Sequence, residues 1–332
     1  MSPASLSGST TGRAEEQPGA KPTAVVALGG NALSPAGERS TIHDQFRHTR
    51  ASLGPVVDLA IDGWNVVIVH GNGPQVGDAL VRNEVARAEV APLPLGVLVA
   101  ATAGWIGYMI QQSVYEAIQR SGHTRPVATV ITQVLVDEND PALANPTKFI
   151  GHALPPERAA ALAREGVTIR TDSNGRQRRV VGSPAPLSIH EVALIRRLAE
   201  SGTIVIACGG GGVPVYLDRR FGLEGVDAVV DKDLAAAVLA RELDARLLLI
   251  LTDVDAVYEH WGTQQQRALD KLTVAEAQRL DASGALGEGS MAPKVRAAVD
   301  YVRRTGGRAV IAELARGRAA VRGETGTEII SG

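Results

Sequence analysis

The sequence has a single cysteine, few aromatic residues and almost no net charge. Because Cys208 stands alone among 332 residues, no internal disulfide can form, and such usage is typical of a reducing cytoplasm. The net charge is −2, from 34 basic and 36 acidic residues, which provides no general field for nucleic acid or a membrane surface. No apolar run reaches the roughly 18 residues of a membrane span. We therefore expect a cytoplasmic protein without nucleic-acid or membrane partners.

The first 22 residues, MSPASLSGSTTGRAEEQPGAKP, lack the apolar segment of a signal peptide. They are rich in Ser, Gly, Thr and Pro, which favours a disordered N-terminal tail over 1–22 with no role in chemistry. The remaining residues, 23–332, are predicted to form the folded domain.

Six continuous apolar runs rich in β-branched residues predict buried strands of a parallel sheet that is covered on both faces. They span residues 23–30, 65–71, 126–136, 203–212, 245–254 and 307–314. Helical patterns occupy 49–62, 77–89, 106–120, 189–201, 234–242 and 294–304. This alternation predicts an α/β fold, a three-layer αβα sandwich with a mainly parallel open sheet.

Residues 137–186 interrupt the alternation and are rich in Pro and Arg. They could be a pair of surface loops with a helix between them, or a small protruding subdomain that covers a site. Fifty residues are many for inert loops, so we favour a protruding subdomain at about 137–186.

Three predicted strands end in glycine-rich turns, LGGNAL (28–33), HGNGPQVG (70–77) and CGGGGVPV (208–215). Ligands of open parallel sheets bind outside the carboxyl ends of the strands, and glycine lets the backbone approach an anion closely. Three such turns predict phosphate or carboxylate binding. The P-loop pattern is missing, and the turn at 71–77 is one residue longer than a dinucleotide fingerprint. His70 and Cys208 are interpreted as core residues.

Lysines occur at two predicted helix N-termini, where a positive side chain is unfavourable unless an anion binds there. Lys232 lies between Asp231 and Asp233, and Lys294 opens the last long helix. Helix capping would explain an aspartate alone, but not the lysine beside it. The segment 252–258 could line an adenine site or form a simple turn. Cations, amides and glycine turns suit phosphoryl transfer, which depends on positioning and charge neutralisation.

Nine ordered blocks, from about Thr23 to Ile330, resemble the carbamate kinase family, which belongs to the wider amino acid kinase fold. The blocks are VVALGGNAL, HGNGPQVG, IGYMIQQ, TQVLVDENDPALANPTK, IACGGGGVPV, DKDLAAAVLA, LLILTDVDAVY, GSMAPKV and GETGT. The resemblance implies a homodimer that uses ATP and ADP with Mg²⁺, and reversible transfer from ATP to carbamate, giving ADP and carbamoyl phosphate. It also implies operation towards ATP in the catabolism of arginine or purine derivatives.

The resemblance and the turns together assign roles to individual positions. The predicted catalytic residues are Lys148, Lys232, Asp233 and Lys294. The predicted phosphate and substrate residues are Gly29, Gly30, Asn31, Gly71, Asn72, Gly73, Gly209 and Gly210. The predicted nucleotide residues are Lys232, Thr252, Asp253, Val254, Tyr258, Met291 and Lys294. No metal ligand from protein side chains is expected, since Mg²⁺ would be carried by the nucleotide.

The sequence departs from the family pattern at a few positions. Ala27 stands where wider amino acid kinases have a lysine. The carbamate kinase pattern also lacks that lysine, which supports the narrower resemblance and raises the importance of Lys148. AATAG (100–104) replaces AMSQG, and Ala292 replaces a glycine. Two alternative functions remain open at this point: a kinase of another small carboxylate or phosphonate, and a non-catalytic nucleotide-binding protein.

Overall fold

The computed structural model describes residues 21–30, 33, 41–172, 174–286 and 291–332. Asn31 and residues 1–20 of the predicted tail lie outside the described residues. The strands are β1 (Thr23–Leu28), β2 (Asn65–His70), β3 (Val127–Thr129), β4 (Gln133–Leu135), β5 (Lys148–Ile150), β6 (Ile169–Thr171), β7 (Gln177–Val181), β8 (Ser188–Ile189), β9 (Ile204–Ile206), β10 (Val213–Asp218), β11 (Gly222–Gly225), β12 (Leu247–Thr252), β13 (Val257–Glu259), β14 (Arg267–Leu269), β15 (Lys271–Thr273), β16 (Arg308–Glu313) and β17 (Thr327–Ile330).

The α-helices are α1 (Ile42–Ser52), α2 (Gly54–Ile61), α3 (Gly73–Ala86), α4 (Leu95–Arg120), α5 (Pro141–Ala144), α6 (Pro156–Arg164), α7 (Val192–Glu200), α8 (Lys232–Glu242), α9 (Val274–Ala282), α10 (Met291–Thr305) and α11 (Gly317–Val321). Short 3₁₀ turns occupy Gly209–Gly211 and Leu314–Arg316. In the part of the chain described above, none of these helices has both the length and the apolar character needed to cross a membrane.

The main sheet has eight strands in the order β15-β17-β16-β12-β1-β2-β9-β3. All its pairs are parallel except β16 with β17. Helices α7, α8 and α10 contribute to the apolar core on one face, and α2, α4 and α11 to the core on the other. Because β2 and β12 are buried along their whole length, their apolar runs are continuous. This layering confirms the predicted α/β sandwich.

Two of the predicted strands are wrong in extent. The run 126–136 forms β3 in the main sheet and β4 in a second sheet of order β11-β10-β4-β8. Thr132 lies between them, and its hydroxyl donates to Val130 O and accepts from the amide of Cys208. The run 203–212 is a strand only to Ile206, because Cys208 turns into the left-handed region at φ 48°.

Most predicted helices differ from the structure by a few residues at their ends, as α3 does with Gly73–Ala86 against the predicted 77–89, and two differ more. The pattern at 49–62 is two helices, α1 and α2, which meet at Leu53. Helix α4 begins at Leu95 rather than at 106, after the N-cap residue Pro94. The glycines of α4 do not interrupt the helix. They allow neighbouring side chains to pack closely against it. A methyl at Gly107 would lie 2.3 Å from the Thr129 methyl carbon.

The segment 137–186 contains a separate antiparallel sheet of order β5-β7-β6, with α6 packed against β6 and β7. The amide of Gly151, just after β5, donates to the carbonyl oxygen of Gly73 at the start of α3 at 2.9 Å. This contact brings β5 to the carboxyl end of the main sheet. The division of 137–186 into a subdomain stays a prediction.

Candidate active site

Two of the predicted glycine turns meet at the carboxyl ends of β1 and β2. The amide of Gly29 donates to Leu251 O at 3.1 Å, and the amide of Gly71 donates to Leu28 O at 3.2 Å. A methyl group at Gly71 would lie 3.3 Å from both Gly30 N and Lys232 Cδ. The first turn, the second turn and the Lys232 side chain are therefore in direct contact.

Asp233 lies between two lysine side chains at the start of α8. Its Oδ1 is 2.5 Å from Lys232 Nζ, and its Oδ2 is 3.2 Å from Lys294 Nζ on α10. All three side chains are largely buried. Burial lowers the pKa of Lys232, and the Lys294 ammonium lowers it further, while the Asp233 carboxylate opposes both. One carboxylate thus holds two ammonium groups in fixed positions.

Asp231 is the N-cap of α8 and also holds the third lysine. Its Oδ1 accepts from the amide of Asp233 at 2.9 Å, and its Oδ2 forms an ion pair with Lys148 of β5. Burial by itself would raise the pKa of the Asp231 carboxyl, but the Lys148 ammonium outweighs it and brings the pKa below its usual range. Sequence reasoning assigned Asp231 only to capping and missed this ion pair.

The three lysines and two aspartates share the N-terminus of α8. Among the described residues, this cluster contains three ammonium groups and two carboxylates. The helix N-terminus adds partial positive charge from its free amides. A largely buried, lysine-rich cluster next to glycine turns is suited to an anion of high charge density, such as a phosphoryl group.

Asn72 follows β2 and precedes α3. Its Nδ2 donates to Thr102 Oγ1 of α4 at 2.9 Å, and both side chains are buried. Thr102 belongs to the AATAG segment, so this departure from the family pattern keeps a hydroxyl that orients the Asn72 amide. A methyl at Gly210 would lie 2.3 Å from Asn72 Nδ2, and glycine at that position leaves room for the amide.

His70, at the end of β2, is fully buried. Its Nδ1 lies 3.0 Å from Gly71 O, and its Nε2 has no hydrogen-bond partner among the described residues. Burial lowers the pKa of His70 to about 4, so the ring is neutral at physiological pH and donates from Nδ1 to the turn. A methyl at Gly209 would lie 2.6 Å from His70 Nε2. Glycine at 209 thus has a packing reason, and its contact with phosphate stays a prediction.

The predicted nucleotide residues extend from the same end of β12. Thr252 adjoins the first glycine turn, since a methyl at Gly29 would lie 3.9 Å from Thr252 Cα, and its hydroxyl donates to Asp253 Oδ1 at 3.0 Å. Tyr258 donates to Asp255 Oδ1 at 2.7 Å. Its ring packs edge-on against exposed Trp261, with centroids 5.0 Å apart. The sequence predictions did not include Trp261.

The model of the amino acid kinase family matches residues 22–313. The chain belongs to the amino acid kinase family. Carbamate kinase from Pyrococcus furiosus is 42% identical over 309 residues, covering 92% of this chain and 98% of that protein. Carbamate kinase from Escherichia coli is 46% identical over 306 residues, with coverage of 92% and 98%. Carbamate kinase from Giardia lamblia bound to AMP-PNP has a TM-score of 0.85 at 36% identity, covering 94% of this chain and 99% of that one.

The family membership confirms the resemblance that the nine sequence blocks indicated. Within this amino acid kinase, the structure brings together most of the predicted positions. Lys148, Lys232, Asp233 and Lys294 form one connected cluster, and Gly30 and Gly71 adjoin it. Met291 lies in the first turn of α10, three residues before Lys294. The individual roles of these residues stay predictions.

The donor set around the cluster suits phosphate rather than a free metal ion. Both aspartates of the cluster are engaged by lysine ammonium groups. Across the described ranges, no group of three or more His, Cys, Asp or Glu side chains converges as a metal site would.

Proposed function

We propose that the protein is a kinase that catalyses the reversible reaction of ATP with carbamate to give ADP and carbamoyl phosphate. The observation that carries the proposal is the convergence of Lys148, Lys232 and Lys294 on Asp231 and Asp233. The family and the carbamate kinases that the chain is similar to supply the reaction class.

The proposed chemistry is direct in-line transfer without a phospho-enzyme. Phosphoryl transfer spreads negative charge over the transferring oxygens, and fixed cations stabilise that charge in a largely buried site. Lys232 and Lys294 are oriented by Asp233, so they need no rearrangement when the charge develops. The amide of Gly29 is already bound to Leu251 O, so the backbone contact of the first turn falls to Gly30.

Carbamate is proposed to bind at the second turn. The Asn72 amide is held by Thr102 and the Lys148 ammonium by Asp231, which gives two oriented donors for a small carboxylate. The nucleotide is proposed to extend along Thr252–Tyr258, on the other side of the lysines. The binding of AMP-PNP by the similar Giardia protein supports a nucleoside triphosphate as the donor.

Mg²⁺ is proposed to enter with the nucleotide. Because Asp231 and Asp233 are paired with lysines, the metal would be coordinated mainly by phosphate oxygens and water, as Mg²⁺ commonly is in phosphoryl-transfer enzymes. When bound, it would neutralise part of the phosphate charge. The lysines of this chain would neutralise the remainder.

A homodimer is proposed to form through one face of α4. The helix has no charged residue from Leu95 to Tyr115, yet Val97, Tyr108 and Tyr115 are 46%, 58% and 51% exposed. An exposed helix face that is apolar and uncharged is typical of a buried interface, and a twofold axis would set α4 of one copy against α4 of the other. Light scattering should give a dimer mass that falls to the monomer in Tyr108→Glu. An unchanged dimer would place the interface elsewhere.

We further propose a cytoplasmic location and operation towards ATP in the catabolism of arginine or purine derivatives. The single cysteine, buried at the end of β9, is consistent with a reducing compartment.

The test is ATP formation from ADP and carbamoyl phosphate by the purified chain, followed by luciferase. Acetyl phosphate, which replaces the amino group by a methyl, serves as the competing donor. Faster turnover of acetyl phosphate would favour a kinase of another carboxylate. ADP binding without any ATP formation would overturn the proposal and indicate a nucleotide-binding protein.

A further inference from the structure

Two glycines on different elements bring their backbones into direct contact. A methyl at Gly77, on α3, would lie 2.1 Å from Gly151 Cα and 2.5 Å from Gly151 N. Both Gly151 atoms belong to the backbone, so no side-chain movement could relieve the overlap. Four residues earlier on α3, the carbonyl of Gly73 accepts from the Gly151 amide at 2.9 Å. The backbones of α3 and Gly151 are therefore in close contact, and a hydrogen bond holds them there. Any residue larger than glycine at position 77 would overlap with Gly151.

The contact lies three residues after Lys148, directly beyond the end of β5. Lys148 opens β5, Ile150 closes it, and Gly151 follows directly. A strand rises about 3.3 Å per residue, so only a short stretch of extended backbone separates Gly151 from Lys148. A shift of the backbone at Gly151 would therefore also move Lys148. The position of β5 against α3 thus sets how far the Lys148 ammonium reaches towards Asp231.

Glu84, two helical turns further along α3, joins this helix to the sheet that contains β5. Its carboxylate accepts from Arg158 of α6 at 2.6 Å and also pairs with Arg179 of β7. Strand β7 is the hydrogen-bonded neighbour of β5. Arg178, next to Arg179, donates to the carbonyl of Gly151 at 2.7 Å. Glu84 and Arg179 are mostly buried, so their pairing is screened less than a surface ion pair.

We propose that Gly77 and Glu84 are positioning residues that hold β5 so that Lys148 reaches the phosphoryl-transfer site. Gly77 permits the approach, and Glu84 maintains it through two arginines. The proposal rests on the proposed function, in which Lys148 stabilises transferred charge. It connects the second glycine turn, at the start of α3, with the lysine that comes from the segment 137–186.

The experiment compares Gly77→Ala and Glu84→Gln, each alone and combined with Lys148→Met. We expect Gly77→Ala to lower kcat at least tenfold and Glu84→Gln severalfold, with KM for ADP changed less than twofold. In the Lys148→Met background, neither change should lower kcat further, because the displaced group is already missing. Gly54→Ala is the matched control, since a methyl there meets no atom of the described residues within 4 Å, and its kcat should be that of the unaltered chain.

Hydrogen exchange provides a readout that does not depend on activity. The Gly151 amide, now bonded to Gly73 O, should exchange faster in Gly77→Ala and Glu84→Gln and at the original rate in Gly54→Ala. If the unaltered chain makes no ATP, the proposed function fails while exchange still tests the contact. Losses of kcat that persist in the Lys148→Met background, or unchanged exchange in both variants, would overturn the positioning role.

Discussion

Asn72 and Thr102 form a buried hydrogen bond of 2.9 Å that joins the second glycine turn to the middle of α4. Thr102 Oγ1 is also within hydrogen-bond distance of the carbonyl oxygens of Leu98 and Val99, at 2.8 and 2.9 Å. The hydroxyl therefore serves the helix and the Asn72 amide together. Its position in AATAG explains how this altered segment can still support the second glycine turn.

Replacing Thr102 tests this support. Thr102→Val has a similar shape but leaves the buried Asn72 amide without its acceptor, at a cost of about 1–3 kcal/mol in unfolding free energy. We expect KM for carbamoyl phosphate to rise more than KM for ADP. Thr102→Ser keeps the hydroxyl and should stay close to the original values. Steady-state kinetics and urea unfolding of both variants provide the measurement, and equal behaviour of Val and Ser would contradict the role.

Replacing either Lys294 or Lys232 should lower kcat by a large factor. Loss of one preorganised donor at a developing charge costs on the order of 10²- to 10³-fold in kcat. We expect Lys294→Ala and Lys232→Met to fall in this range. Lys271, exposed at the start of β15, provides the control Lys271→Met, which should leave kcat unaltered. A Lys294→Ala protein with unchanged turnover would remove the lysine from the proposed chemistry.

Asp231 has two separable functions. Asp231→Asn keeps a good N-cap for α8 but removes the charge that faces Lys148, whereas Asp231→Ala removes both. We expect Ala to be less stable than Asn by about 1 kcal/mol in thermal or urea unfolding. Both should lower kcat by a similar factor, because Lys148 loses its counterion in each. If only the Ala variant lost activity, capping rather than the ion pair would be the relevant contribution.

His70 should make stability depend on pH. The unfolded ring takes up a proton near pH 6.5, whereas burial lowers the pKa in the folded chain to about 4. Between these values the unfolded state binds more protons, so stability is retained above pH 6.5 and lost as pH falls towards 4. The loss amounts to roughly 3 kcal/mol, at 1.36 kcal/mol per pKa unit. Urea unfolding across pH 4–7 should show a shallower decline in His70→Asn.

The control for this pH effect is His123→Gln, which removes an exposed histidine. Its decline between pH 7 and pH 4 should match that of the unaltered chain. Carboxyl groups titrate in the same interval in all three proteins, so the difference between slopes isolates His70. Equal slopes for the His70 variant and the unaltered chain would contradict the assignment.

The sequence was sufficient for the strands that are buried on both faces. Such strands have continuous apolar runs, and β1, β2, β12 and β16 were placed almost to the residue. The start of helix α4 was not predictable, because its glycines suggested a break, whereas its end at Arg120 was predicted correctly. The reason for these glycines is tertiary, as the contact of Gly107 with Thr129 shows.

The sequence likewise indicated the local features of the candidate site but not its contacts between distant residues. Lysines at helix N-termini are locally unfavourable, so Lys232 and Lys294 could be singled out from the sequence. The pairing of Lys148 with Asp231 joins residues far apart in the chain, and no local pattern encodes it. Gly77 was visible as one glycine of a turn, but its contact with Gly151 depends on where β5 is placed.

The pairing of β1 with β12 bears on how the chain is made. Ala24 lies opposite Leu247, so one of the two neighbours of β1 leaves the ribosome more than 200 residues after β1 does. At about 5–20 residues per second, this interval lasts roughly 10 to 45 seconds. During that time one edge of β1, which is apolar from Ala24 to Leu28, is unpaired and available to other chains. Expression at a lower temperature or with added chaperones should therefore improve the yield of soluble protein more than substitutions on the surface of the folded protein.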